Sequence, residues 1–254
     1  MIDVESLAAR LDTAANTAVA IPQLSRDFEL QIDDAYRVQA ANIELRMNRG
    51  DKRVGMKMGF TSRAKMLQMN VSDMIWGRLT ASMMIEEGGS VHLEKFIHPR
   101  VEPEVVFLMR RPLAGRVSPL EALASVEAIA CALEVIDSRY EAFKFSLSDV
   151  VADNASSCGF ALGPWRSPTT DLANLGMILS VNGRPQLFGS TAAILGHPVR
   201  ALVAAARLVS ERDERLEPGS IVLAGAATAA IGLAREQHIS LEAEKLGYVQ
   251  FSVR

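Results

Sequence analysis

From Arg53 onward the apolar residues stand in short runs separated by turn residues, a pattern that points to a β-rich body. Val54 to Phe60 reads as a strand, and Val91 to Arg110 as two strands broken at Pro99. Met177 to Val181 and Gln186 to Phe188 flank Asn182-Gly183, a dipeptide that favours a tight hairpin because both residues tolerate positive φ. A strand at Ile221 to Leu223 follows the Pro218-Gly219 turn, and closing strands end at Phe251. Helical patterns come first in the chain. Val4, Leu7, Ala8, Leu11 and Ala15 repeat at helical spacing from Asp3 to about Val19, and Asp33-Asp34 caps a second helix that stops at Asn48-Arg49-Gly50. A short helix is expected over Ser62 to Met69, and an Ala-rich one from Val199 to about Arg212. The Ala and Leu content of Pro119 to Leu133 predicts a further helix running straight into a strand at Glu134 to Asp137. The expected class is α+β, with an N-terminal helical layer over 1–52 and a β-rich body over 53–254 in one compact unit.

With 254 residues, 49% of them hydrophobic, the chain can bury a sizeable core. The formal net charge of −3 comes from evenly mixed acids and bases, so there is no basic stripe for a phosphate backbone and nucleic acid is not an expected partner. No uninterrupted apolar run suits a bilayer, and Met1-Ile2-Asp3-Val4-Glu5 lacks the basic end and apolar stretch of a secretion signal. No membrane partner is expected, and the reading is a cytoplasmic chain. Cys131 and Cys158 have no CxxC partner and read as buried, reduced thiols. The histidines lack zinc-ligand spacing, so a metal would take oxygen ligands.

Those oxygens have a candidate source in Pro99-Arg100-Val101-Glu102-Pro103-Glu104-Val105. On a strand, Glu102 and Glu104 project to one side, about 7 Å apart at their Cα atoms, while Val101, Val105 and Phe107 face the other. Pro103 removes a ladder hydrogen bond, which predicts a sheet edge or rim. A strand with one solvated face gives the same alternation, so spacing alone leaves that reading open. Glu134 tips the balance: it lies in the apolar segment Ala130 to Ile136, where an ionised carboxylate is costly unless paired or metal-bound. Three carboxylates form the oxygen shell that Mg²⁺ or Mn²⁺ prefers, with positions left for a ligand. Lys57, the only charge in Val54 to Phe60, must find an anion or lose its proton, unless it snorkels to the surface.

Five segments in order resemble the hydratase and decarboxylase branch of the fumarylacetoacetase superfamily: Val54 to Ser62 (VGMKMGFTS), Glu102-Pro103-Glu104, Glu134 to Tyr140 (EVIDSRY), Val151 to Ser157 (VADNASS) and Leu195-Gly196-His197-Pro198. The resemblance runs from about Asp34 to the C-terminus. It implies the superfamily's C-terminal fold, a mixed β-roll with N-terminal helices, and metal ligation by Glu102, Glu104 and Glu134. It also implies catalytic roles for Lys57, Asp73 and Arg139 and substrate contacts from Ser138, Lys144, Ser156 and Thr228. Arg139 and Lys144 would steer a distal carboxylate. The implied reaction is metal-dependent loss of CO₂ from the small 2-oxo acid 2-oxo-3-hexenedioate, and Asp137, Tyr140 and Phe143-Lys144-Phe145 match the decarboxylase pattern. The alternatives are hydration of 2-hydroxypenta-2,4-dienoate on the same ion and lysine, and a non-catalytic subunit of a lyase complex. The resemblance further implies a homo-oligomer, with a sibling hydratase as a possible companion. Ala224 departs from the family's Ser or Thr, and the region around Glu236-Gln237 lacks the usual Gly-Asp turn, whereas Thr228 matches. His197 reads as a helix-start residue, and the methionines from Met56 to Met84 as adaptable packing.

Overall fold

A computed structural model describes residues 2–62, 66–67 and 73–254 of the chain. In chain order the elements begin with α1 (Val4–Thr17), α2 (Ile32–Asn48), β1 (Arg53–Gly59), β2 (Ile75–Thr80), β3 (Met84–Ile85), β4 (Ser90–Val91) and β5 (Arg100–Met109). They continue with α3 (Pro119–Ala124), β6 (Val126–Ile136), α4 (Leu147–Ala152), β7 (Ser157–Leu162), β8 (Gly176–Val181) and β9 (Arg184–Ser190). The chain closes with α5 (Pro198–Ser210), β10 (Ile221–Ala226), β11 (Ile231–Gly232), β12 (His238–Ala243) and β13 (Gly247–Val253). Of the helix expected over Ser62 to Met69, Met66 and Leu67 are helical and most of the rest lies outside the described residues.

Two sheets make the body. An eight-stranded sheet runs β2-β1-β10-β5-β6-β7-β3, with β11 paired to the start of β5, and a five-stranded sheet runs β4-β13-β12-β8-β9. The expected hairpin is β8–β9, where Asn182 and Gly183 take φ of 51° and 71°. Helices α1 and α2 lean on the larger sheet, and Leu7, Leu11, Ala35 and Val38 share one core cluster with Trp76 and Val151. Buried Gln39 of α2 locks this layer down by donating to the carbonyls of Trp76 (3.0 Å) and Val151 (2.7 Å). The stretch Thr191–Ser210 is long and apolar enough to cross a membrane, yet α5 within it turns Val199, Leu202, Ala205 and Val209 into the core. His197 starts α5 by accepting the Val199 N–H at Nδ1 (3.2 Å).

The expected helix over Pro119 to Leu133 is corrected. Pro119 and a Ser118–Glu121 capping box start α3, but it ends at Ala124, and an eleven-residue strand, β6, begins at Val126. Alanine favours helix only weakly, and pairing with β5 on one side and β7 on the other overrides it. The strand period is present in the sequence: Ala128, Ala130, Ala132 and Glu134 face one way and Ile129, Cys131, Leu133 and Val135 the other. Cys131 is therefore a buried strand residue, and both cysteines are free thiols.

Pro103 does not mark an edge either. Its strand β5 is central, between β10 and β6. The Pro103 carbonyl accepts the Ala227 N–H (2.9 Å), so its missing donor faces the β10 side, where the register shifts between Leu223 and Ala226. That bulge at Gly225 removes the need for the N–H that proline lacks.

Parallel pairing of β1 with β10 sets Lys57 opposite Leu223, in one row with Val106 of β5 and Ala130 of β6. Gly55 permits this approach, because a Cβ there would lie 2.0 Å from the Ile221 carbonyl oxygen. Gly55→Ala is expected to push β1 off β10 and cost roughly 3 kcal/mol, read as a lower urea midpoint at unchanged slope. An unchanged midpoint would show that the two strands do not need this contact.

Candidate metal centre

Register brings the three glutamates together. Glu102 and Glu104 share a face of β5, and Glu134 of β6 pairs directly with Glu102, so its side chain projects from the same face. Oxygens of all three lie within 4.8 Å of one another, and all three residues are buried. The same face carries Val106, Ala130, Ala132, Phe160 and Leu223, an apolar cluster that keeps water from the carboxylates. Lys57 Nζ lies 3.0 Å from Glu134 Oε2, which answers the sequence expectation that this lysine must meet an anion.

The bulge supplies one further contact. Gly225 turns its N–H onto Glu104 Oε2 at 2.7 Å. With φ of 103° and a would-be Cβ only 1.9 Å from Thr61 Oγ1, position 225 admits no side chain. Sequence reading missed this donor, although a glycine inside a strand pattern is a signal for a bulge.

Charge and hydrogen bonding are then incomplete. Glu104 Oε1 and Glu134 Oε1 are buried acceptors without a hydrogen-bond partner. Three carboxylates against one ammonium leave two negative charges, the charge that a divalent cation neutralises. The donors are all oxygen, the set that suits Mg²⁺ or Mn²⁺, so the residues present fit such an ion. Burial and the Glu134 charge raise the Glu104 pKa well above its ordinary value. Burial also raises Glu134, with Lys57 opposing and Glu102 reinforcing the shift. Burial works against the charged form of Lys57, but Glu134, Glu104 and Glu102 together outweigh it and lift its pKa.

A cavity of about 150 Å³ opens over Lys57 and Glu102. Phe60, Ile75, Ile136, Phe143, Phe145 and Val150 make its apolar wall, and Thr61, Ser62 and Ser156 bring hydroxyls. Non-glycine residues with positive φ cluster here: Phe60 (58°), Phe143 (56°), Ala155 (51°) and Ser156 (58°). Such conformations cost about 1–3 kcal/mol each and persist where surrounding contacts enforce them. Asn154, itself at φ of 52°, anchors the turn by accepting the Arg78 N–H (2.7 Å) and donating to the Arg78 carbonyl (2.8 Å). Ser156 Oγ is buried in this wall without a hydrogen-bond partner.

The other residues singled out in the sequence sit elsewhere. Arg139 is buried, with Nε on Asp153 Oδ1 and Nη2 on the Asp153 carbonyl (2.5 Å), an ion pair that holds the turn from behind. Ser138 Oγ accepts the Tyr140 N–H (3.2 Å), and Thr228 Oγ1 donates to the Ala229 carbonyl (2.9 Å). Lys144 is exposed, and exposed Asp73 pairs with Arg207 at 2.9 Å. None of these five lines the cavity. Asp137 and Tyr140 also support rather than line it: Asp137 accepts the N–H groups of Ile97 and His98, and the Tyr140 hydroxyl donates to the Asp149 carbonyl.

The raised carboxylate pKa values carry a signed consequence. Without metal, the folded chain keeps protons that the unfolded chain releases above about 4.5, so metal-free stability falls as pH rises through that region. Cation binding displaces those protons and strengthens with pH. Saturating Mg²⁺ is expected to raise the melting temperature more at about pH 8 than at about pH 5, with proton release in calorimetry; a pH-independent shift would contradict the arrangement.

Three comparisons bear on this geometry. A 4-oxalocrotonate decarboxylase from Pseudomonas sp is 55% identical over 249 residues, covering 98% of this chain and 97% of that protein. The structure of 4-oxalocrotonate decarboxylase from Pseudomonas putida G7, complexed with magnesium and adipate, superposes with a TM-score of 0.96 at 37% identity, covering 99% of this chain and 97% of that one. A 2-hydroxyhexa-2,4-dienoate hydratase from Comamonas testosteroni is 31% identical over 250 residues, covering 96% and 95%. Residues 46–254, which include every strand described above, match the model of the fumarylacetoacetate (FAA) hydrolase C-terminal family, and the chain belongs to that family.

Proposed function

We propose that the chain is a divalent-metal-dependent carboxy-lyase that converts 4-oxalocrotonate (2-oxo-3-hexenedioate) to 2-hydroxypenta-2,4-dienoate and CO₂ in the meta-cleavage breakdown of aromatic compounds. The observation that carries this reading is the buried convergence of Glu102, Glu104 and Glu134 beside Lys57, under a cavity sized for a small acid. Identity of 55% over 98% of the chain to a decarboxylase, against 31% to a hydratase, supports the choice of reaction.

Glu102, Glu104 and Glu134 would hold the ion. Once bound, a divalent cation supplies Lewis-acid polarisation of a 2-oxo acid. In the substrate the C5–C6 bond joins the distal carboxylate to a carbon conjugated, through C3=C4, with the C2 ketone. When that bond breaks, CO₂ leaves from C6 and the electron pair runs along the chain to the C2 oxygen, which a proton then caps. Lys57, kept cationic by its three acidic neighbours, offsets negative charge as it develops at that end of the substrate. Ser156 is a neutral donor in the cavity wall and the best placed of the proposed substrate contacts. The wall of Phe143, Phe145 and Val150 makes this side of the cavity apolar, which would favour CO₂ loss over addition of water. Phe143 is pinned by the Arg100 guanidinium, 4.4 Å from its ring centre, and by His98 at 5.0 Å. Arg139 acts through Asp153 on the turn that bears Ser156, and Asp73 and Lys144 have no part in the set proposed here.

Exposed Met84 and Phe188 lie on the edge strands β3 and β9, which supports self-association, with a sibling hydratase as a further candidate companion. The free thiols suit a reducing cytoplasm.

The test is an assay with both candidate substrates. Purified protein with Mg²⁺ is expected to release CO₂ from 2-oxo-3-hexenedioate and to leave 2-hydroxypenta-2,4-dienoate unhydrated; hydration alone, or an inert protein at saturating metal, would overturn the assignment. Lys57→Met is expected to lower kcat by about 100- to 1000-fold while Mg²⁺ still binds. A kcat within about threefold of the parent would remove Lys57 from the chemistry.

A further inference from the structure

Near the Arg139–Asp153 pair, one guanidinium is left without a direct partner among the described residues. Arg46, in the last turn of α2, has a part-buried guanidinium with no carboxylate or hydrogen-bond partner among the described residues. Burial lowers its pKa, and the like charge of Arg139 lowers it further. Arg139 is itself short of an acceptor: it is 2% exposed, and its Nη1 is buried without a hydrogen-bond partner. The carboxylates that act on Arg46 are those of Asp12 and Asp153, and each is already paired with another guanidinium, Asp12 with Arg49 and Asp153 with Arg139. A part-buried guanidinium with no direct acceptor leaves hydrogen bonds unmade, so Arg46 is free to take an anion.

A surface cavity of about 570 Å³ adjoins this cluster, lined by Arg46, Lys95, Cys158 and Ser82 among others. Cys158 joins the two parts, because its thiol lines the cavity and feels the charges of both Arg139 and Arg46. The remaining charges of the lining are Arg49 and Asp51, of opposite sign, and both hold partners within the protein. Arg49 makes a two-pronged pair with Asp12 at 2.7 and 2.8 Å, and Asp51 accepts from Ser82 and from the Lys52 N–H. Arg46 and Lys95 are left to face the open space. The thiol is no rival ligand, since burial pushes its pKa to about 11 and keeps it neutral.

We propose that this cavity is a second ligand site, distinct from the metal centre, that takes a small oxyanion, a carboxylate or a phosphate, between Arg46 and Lys95. A planar guanidinium binds either oxyanion through paired hydrogen bonds, and the ammonium adds a point charge.

The test is calorimetric titration of the Mg²⁺-loaded protein with inorganic phosphate and, separately, acetate, at constant ionic strength set with chloride. Glu104→Gln separates the two sites, because anions held at the metal centre lose their ion in that variant. The expected result is saturable binding in the parent and in Glu104→Gln, weakened about tenfold in Arg46→Gln. The tighter of phosphate and acetate identifies the oxyanion class. If Arg46→Gln does not fold, Lys95→Gln changes an exposed side chain and is expected to weaken binding about threefold. Binding that survives Arg46→Gln and Lys95→Gln, binding lost in Glu104→Gln, or no saturable heat with either anion would each overturn the site.

Discussion

Three carboxylates buried side by side repel one another and have lost most of their hydration, and the rest of the structure is arranged around that cost. Lys57 relieves part of it at 3.0 Å from Glu134, and the Gly225 N–H relieves part at Glu104. Neither is enough, because orphan oxygens remain on both residues. The unmet balance is what fits the site to a hard cation rather than to an ion-pair network that closes on itself. Each partner reaches the site through a backbone feature: the β5–β6 register for the glutamates, the β10 bulge for the donor, and the close β1–β10 approach at Gly55 for the lysine.

Much of this was legible in the sequence, and what was not follows a rule. Glu102 and Glu104 are two apart on a strand, a local relation that alternation reveals. Glu134 could be singled out by its apolar neighbours, but its pairing with Glu102 is a matter of register between distant segments, which no local pattern encodes. The same limit explains the misread stretch after Ala124. Its alanines suggest helix one residue at a time, whereas the two flanking strands decide the outcome. Pro103 misled for a related reason, since the bulge that tolerates it belongs to another strand.

Residues that the resemblance marked, rather than local chemistry, divided in two. Ser156 lines the cavity, while Arg139, Ser138 and Thr228 support the surrounding turns, and Asp73 and Lys144 lie at the surface. The signal that would have separated them is strain. Residues Asn154 to Ser156 all take left-handed conformations, a run that nothing in their side chains demands and that Arg139, Asp153 and Asn154 must hold in place. On the proposed reading, decarboxylation and hydration can share the glutamates and the lysine, and selectivity between them would then belong to this turn and to the aromatic wall around Phe143 and Phe145.

The central claim is that Glu102, Glu104 and Glu134 converge on one cation. Anomalous diffraction from a crystal equilibrated with Mn²⁺ tests it directly. The account predicts a single strong peak with one oxygen of each glutamate at about 2.1 Å, the spacing of small hard cations. A peak elsewhere, or one that leaves any of the three side chains out of reach, would contradict it.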